Sequence, residues 1–254
     1  MTHSSATAAG ADISPRTVAL IAGLGLLVMA VLAPVAHFGV LQNLIQPDDA
    51  TATVANIIES EALFRIAVAA LLVVTFLDIL VAWALYVLFR PVNATLATLV
   101  GWLRLAAAAA FLPAVANLLD VAQLLGGPSA AAAPTATTGA QVMLSVASFE
   151  NGWDIMLAVF GLHLVGLGAL VYRSTHFPRI LGALVVIAGV GYLGDTFTRI
   201  LVPDFDFTFS LFTFIGEALL IVWFLWRAVT GFADEPAFGG ERTAGPPQPD
   251  AVVS

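Results

Sequence analysis

The sequence predicts an all-α, polytopic transmembrane helix bundle of about six spans, with both chain ends on the cytoplasmic side. Three observations carry this expectation. Hydrophobic residues fill 60% of the 254 positions and charged residues only 10%, where soluble domains carry roughly 25%. Such a chain cannot cover its surface with charge, so lipid is its expected solvent. The apolar residues gather into runs at 17–39, 63–89, 94–119, 142–172, 180–202 and 209–230, each near or above the ~20 residues that cross a ~30 Å hydrocarbon core. Arginine, finally, falls on alternate connections between those runs.

The segment before the first run, residues 1–16, is small and polar and reads as a disordered cytoplasmic leader. The first run is too long for a signal-peptide core and no small-residue cleavage site follows it, so it reads as a retained helix. Between Val40 and Ala62, Pro47, Asp48, Asp49, Glu59 and Glu61 mark a loop. A short surface helix is expected there, with Asp48 or Asp49 as its N-cap. Phe89-Arg90-Pro91-Val92-Asn93 reads as a tight turn in which Pro91 stops one helix and Asn93 caps the next. Leu124 to Gly139 has no apolar period and reads as a loop. Tyr172 to Arg179 is a second short connection with Arg and Pro, and Pro203-Asp204-Phe205-Asp206 separates the last two runs. Residues 17–230 then form the transmembrane domain, and 231–254, rich in Pro, Gly and acid, a disordered cytoplasmic tail.

Orientation follows from arginine, because cytoplasmic loops retain positive charge. With the N-terminus inside, Arg16, Arg90, Arg173, Arg179, Arg227 and Arg242 are all cytoplasmic. The opposite face holds Arg65 and Arg199 among Asp48, Asp49, Glu59, Glu61, Asp204 and Asp206. The expected location is therefore the cell (cytoplasmic) membrane, crossed several times.

Absences narrow the function. Without cysteine there is neither a disulfide nor a thiolate metal site. The formal net charge of −8 and the lack of any polybasic stretch argue against nucleic-acid binding. No HExxH spacing, phosphate-binding loop, nucleophile elbow or facing histidine pair is present, so no cofactor or metal is expected.

Ionisable groups inside the runs are costly, and usually face the bundle interior or a water-filled cavity. At ~1.5 Å per residue, Asp78 lies ~17 Å and Arg104 ~15 Å from the cytoplasmic ends of their helices. The connecting turn is too short to separate those helices, so Asp78 and Arg104 are expected to form a mid-membrane ion pair. A second, outer polar cluster is expected from Arg65, Asp154, His163, Asp195, Arg199 and Glu217. Asp195 and Arg199 are four apart and able to pair on one helix face. Glu217 has no cation in its own helix nearby, and Arg65, Arg199 and His163 are its candidate partners. Both groups have a purely structural alternative, in which paired charges fix helix register. Gly161 and Gly168, and Gly182 and Gly189, are spaced seven apart, which keeps small residues on one face and predicts close packing of the two helices that carry them.

The segments Glu61-Ala-Leu-Phe-Arg65, Leu85-Tyr-Val-Leu-Phe-Arg-Pro-Val-Asn93, Phe160-Gly-Leu-His-Leu164, Phe177-Pro-Arg-Ile-Leu-Gly182, Gly189-Val-Gly-Tyr-Leu-Gly-Asp195 and Ile215-Gly-Glu217 resemble a bacterial and archaeal six-helix membrane family, domain of unknown function 4386. The resemblance spans roughly residues 17–230. It implies the fold and the membrane location, transfers no catalytic residue, and draws attention to Arg65, Asp78, Arg104, Asp195 and Glu217.

The expected function is a small-molecule or ion binding or transport bundle with an outward-facing polar cavity. The alternatives are an intramembrane enzyme acting on a lipid or isoprenoid, with Glu217 or Asp195 as acid/base and His163 assisting, and a structural or partner-binding subunit. The residues lean away from an enzyme. Expected partners are membrane lipids, a small-molecule or ion ligand, and a second copy of the chain in a homo-oligomer, since so few helices often need a dimer to build a pathway.

Overall fold

The computed structural model describes residues 13–126, 135–202, 207–209 and 214–231. The rest of the expected leader and tail, the Pro203–Asp206 connection and Arg242 lie outside the described residues. Every regular element among the described residues is helical.

Helix α1 runs Pro15–Leu44. Ser14 caps it by accepting from the Thr17 amide at 3.2 Å. At Pro34 the missing N–H and the ring clash interrupt the ordinary ladder, and Val35–Leu41 continues as a π-helix before a last α-turn at Gln42–Leu44. The first span is therefore longer than its apolar run. Of the two aspartates able to cap the surface helix, Asp49 does so: its Oδ1 accepts from Ala52 N at 2.9 Å, starting α2, Ala50–Glu59. At ten residues α2 is ~15 Å long, too short to cross, and it packs on the ends of its neighbours.

The long helices follow as α3 (Glu61–Phe89), α4 (Ala94–Gly126), α5 (Ala136–Arg173) and α6 (Arg179–Leu201). Asn93 Oδ1 accepts from Leu96 N at 2.9 Å to open α4, and Thr135 caps α5 through the Thr138 amide. The loop expected at Leu124–Gly139 is thus shortened from both sides by helix. Helix α7 spans Ile215–Thr230. With α1, the four long helices make five that are long and apolar enough to cross a membrane. The described part of α7 is ~24 Å long and packs against α1 and α6.

The two ends of the bundle meet at one face. Arg16 donates from Nη2 to the Val229 carbonyl at 2.8 Å and from Nε to the Ala228 carbonyl at 3.3 Å, filling the acceptors that α7 leaves at its C-terminus. Arg90, Arg173, Arg179 and Arg227 lie at the helix ends of this same Arg-rich face.

Glycine sets the closest approaches. A Cβ on Gly168 would stand 2.7 Å from the Gly182 carbonyl oxygen, and one on Gly161 would stand 2.8 Å from that of Gly189, so α5 and α6 touch backbone to backbone. Gly216 does the same for α7, where a Cβ would be 2.5 Å from the Leu184 carbonyl of α6.

The buried core divides into two apolar layers. Toward the Arg-rich face, Ala22, Leu85, Val100, Leu167, Val185 and Phe224 form one. Toward the opposite, acidic face, Leu41, Ile57, Leu71, Phe111, Leu118 and Phe149 form the other, drawn from α1 to α5. Phe160 packs against both.

Candidate functional site

Between those layers lies a polar centre built around Arg104. Its Nη2 is 2.8 Å from Asp78 Oδ1, across the α3–α4 hairpin. Its Nη1 is 3.2 Å from His163 Nε2 on α5, Nη2 also points at the Met29 sulfur of α1 at 3.8 Å, and the guanidinium carbon lies 5.2 Å from the centre of the Phe160 ring. Arg104 is the largest side chain among the fully buried residues, with 1% of its surface exposed. From the Arg-rich ends of their helices, Asp78, Arg104, His163, Tyr192, Glu217 and Met29 all sit ~15–21 Å deep.

His163 has one ring state in this setting. Its Nδ1 is 2.9 Å from the Val100 carbonyl, which can only accept. Its Nε2 faces an arginine nitrogen, which can only donate. The hydrogen-bond partners therefore assign a neutral imidazole protonated at Nδ1, with Nε2 accepting from Arg104. Both nitrogens are committed, so His163 clamps the arginine and cannot assist a lipid-directed acid/base reaction without breaking that clamp.

Glu217 enters the centre from α7, beside the Tyr192 hydroxyl of α6 and within range of the Arg104 charge. The Gly216 approach makes this possible, because it brings α7 against the α6 backbone one residue earlier. The residue is only half-buried, but its Oε1 is buried and has no hydrogen-bond partner. Asp78 Oδ1 and Arg104 Nε are in the same condition. The Asp78–Arg104 contact is thus one of charge at short range, its alignment outside hydrogen-bond geometry. Buried polar atoms left unpaired cost ~1–3 kcal/mol each, and more when charged.

The outer cluster expected from the sequence is not one cluster. His163 belongs to the centre, because its position on α5 is level with Arg104 rather than with the acidic face. Glu217 belongs there as well, partnered by Tyr192 and Arg104 rather than by Arg65, Arg199 or His163. Arg65 stands apart: it pairs with Glu61 one turn earlier at 2.8 Å and donates to the Ala122 carbonyl at 3.1 Å, finishing α4. Arg199 does not fold back onto Asp195 but reaches across to Asp154 on α5, at 2.8 and 3.0 Å. Close packing of α5 on α6 presents Asp154 at that distance, and Thr196 Oγ1 adds a bond to the Asp154 carbonyl at 3.1 Å. Asp195 accepts from the Phe209 amide at 2.5 Å, holding the chain that leads toward α7.

The structure also adds residues that sequence reasoning left out. His37 is nearly fully buried, stacks on Trp153 with ring centres 4.3 Å apart, and has Nε2 3.2 Å from both Glu150 oxygens. The π-helix sets its direction, which no regular 3.6 period would reveal. Tyr192 carried a readable signal, since its depth on α6 equals that of Glu217 on α7. No group of three or more metal-ligating side chains occurs among the described residues.

The outer half of the bundle is not a polar vestibule across its whole width. Its α1–α5 part is filled largely by the second apolar layer, with His37 and Glu150 at its edge, and the Asp154–Arg199 pair and Asp195 lie on the α5–α6 side.

Comparison with known proteins gives a family without an assigned activity. A protein of Archaeoglobus fulgidus described only as uncharacterized is 32% identical over 147 residues, covering 58% of this chain and 74% of its own length. No solved structure matches. The family model described as Domain of unknown function (DUF4386) matches residues 21–228, and the chain, a membrane-embedded helical bundle, belongs to that family.

Proposed function

We propose that the chain is a small-molecule or ion binding bundle of the transporter type, whose site is the Arg104 centre rather than a wide outer cavity. The observation that carries this reading is the presence at similar depth, between two apolar layers, of Asp78 Oδ1, Arg104 Nε and Glu217 Oε1, each buried and without a hydrogen-bond partner. A charge in a spanning helix is costly and marks ligand or ion pathways. A merely structural pair would be expected to satisfy its own atoms. The arginines at one face support an orientation with that face in the cytoplasm and the acidic face outside, in the cell membrane.

The test is a thermal-shift panel on the purified chain with sodium, potassium, chloride, phosphate and small zwitterions, followed by flux of any stabilising solute into proteoliposomes. The reading expects a saturable rise in Tm for one class, abolished by Asp78→Asn and Glu217→Gln and kept by Arg65→Gln. If Asp78→Asn lowers the Tm but leaves solute response and flux intact, the centre is structural.

A further inference from the structure

The Arg104 centre holds one more carboxylate than its cations balance. Arg104 and Asp78 offset each other at 2.8 Å. His163 is neutral by its hydrogen bonds. Glu217 makes no ion pair within 4.0 Å and keeps Oε1 buried and unpaired. Tyr192 of α6 and Arg104 of α4 stand nearest it; Asp195 of α6 lies beside Tyr192, and Asp78 of α3 and His163 of α5 lie against Arg104. The titratable groups of α1, Arg16 and His37, lie toward its two ends, and α7 offers Arg227 only ~15 Å toward the Arg-rich face. An ionised carboxyl with no ion pair at this depth is costly, and a bound proton removes that cost.

A route to it is visible on α6. Tyr192, Asp195, Thr196 and Arg199 follow the i, i+3, i+4, i+7 spacing of one helix face. That face begins beside Glu217, since Tyr192 lies within interaction range of both Glu217 and Asp195. It ends ~10 Å higher at Arg199, which is 54% exposed and paired with Asp154. The acidic-face apolar layer draws no residue from α6 or α7 among those described, and on this side Phe209 stands against Gly194 and donates its amide to Asp195. Toward the Arg-rich face the equivalent side is closed by Val185, Ala188, Leu220 and Phe224.

We propose that Glu217 is a proton-exchanging carboxylate, reached from the acidic face along the α6 stripe Tyr192–Asp195–Thr196–Arg199. Hydronium gives its proton to the carboxylate and leaves as water, and the reverse step returns it. This deepens the binding reading by naming the ion, and rests on that reading for the site.

Infrared spectroscopy of the full chain in lipid nanodiscs tests it. Across an acid-to-alkaline titration the wild type shows a protonated-carboxyl band that rises and falls, lost in Glu217→Gln and retained, displaced, in Glu217→Asp. On transfer to deuterated buffer that band shifts, and Asp195→Asn slows the shift roughly tenfold or more. A titrating band that survives in Glu217→Gln overturns the assignment, and an exchange rate unchanged in Asp195→Asn overturns the route. A solute response that is lost in Asp78→Asn and in Glu217→Gln, with no titrating Glu217 band in the wild type, refutes the proton while leaving the binding site standing. Loss of every solute response together with the band refutes both.

Discussion

His163 Nε2 accepts from Arg104 Nη1 at 3.2 Å, and its other nitrogen holds the Val100 carbonyl one turn before that arginine. One side chain on α5 thus fixes both the backbone and the head group of the only arginine buried in mid-bundle among the described residues. The arrangement leaves Arg104 little freedom to leave Asp78, so the centre is rigidly held.

Imidazole nitrogen NMR should therefore show His163 with Nδ1 protonated and Nε2 bare at neutral pH. Two protonated nitrogens would contradict the clamp. Replacing His163 by Phe removes an acceptor from a buried arginine and should cost ~1–3 kcal/mol of stability in unfolding measurements.

Breaking the buried pair by half is expected to be worse than removing it. Asp78→Asn or Arg104→Gln alone should destabilise by ~3–5 kcal/mol, because each leaves an uncompensated buried charge. The double substitution should recover a large part of that loss, which a double-mutant cycle measures directly. Simple additivity would show that the two side chains do not act as a pair.

The Arg199–Asp154 bridge offers the contrast. Arg199 is more than half exposed at the acidic end, and such pairs are worth ~0–1 kcal/mol. Arg199→Gln should barely shift the Tm, and a loss as large as that of Arg104→Gln would mean the outer bridge is a principal support of the bundle.

Close helix contact predicts a graded glycine series. Gly182→Ala places a Cβ 2.5 Å from the Tyr172 amide nitrogen and 2.7 Å from the Gly168 carbonyl, and overpacking of this kind costs ~1–3 kcal/mol. Gly39→Ala meets nothing nearer than 3.9 Å and should be neutral or slightly stabilising. Equal effects at the two positions would refute backbone contact between α5 and α6.

Much of the bundle was legible because its causes are local. Run length gave five of the six expected spans, Asn93 and the Asp48–Asp49 pair gave helix starts, and Arg placement put both ends on one face. Depth counting brought Asp78 level with Arg104 because a short hairpin leaves little choice of register. It failed for His163 and Glu217, which were grouped by chemical type rather than by depth, although the same count along α5 and α7 places them in the centre. Two features were beyond such reasoning. The π-helix after Pro34 rotates His37 away from the face a regular helix would give it. The choice of Asp154 over Asp195 by Arg199 depends on the glycine-tight distance between two helices, which is a property of their packing and not of either sequence alone.

The most direct test of the polar centre is a high-resolution electron-microscopy map of the chain in lipid nanodiscs. The account predicts density for water, an ion or a solute within hydrogen-bond reach of Arg104 Nε, Asp78 Oδ1 and Glu217 Oε1. A dry centre, with these three atoms turned to one another or to lipid and nothing between them, would contradict it.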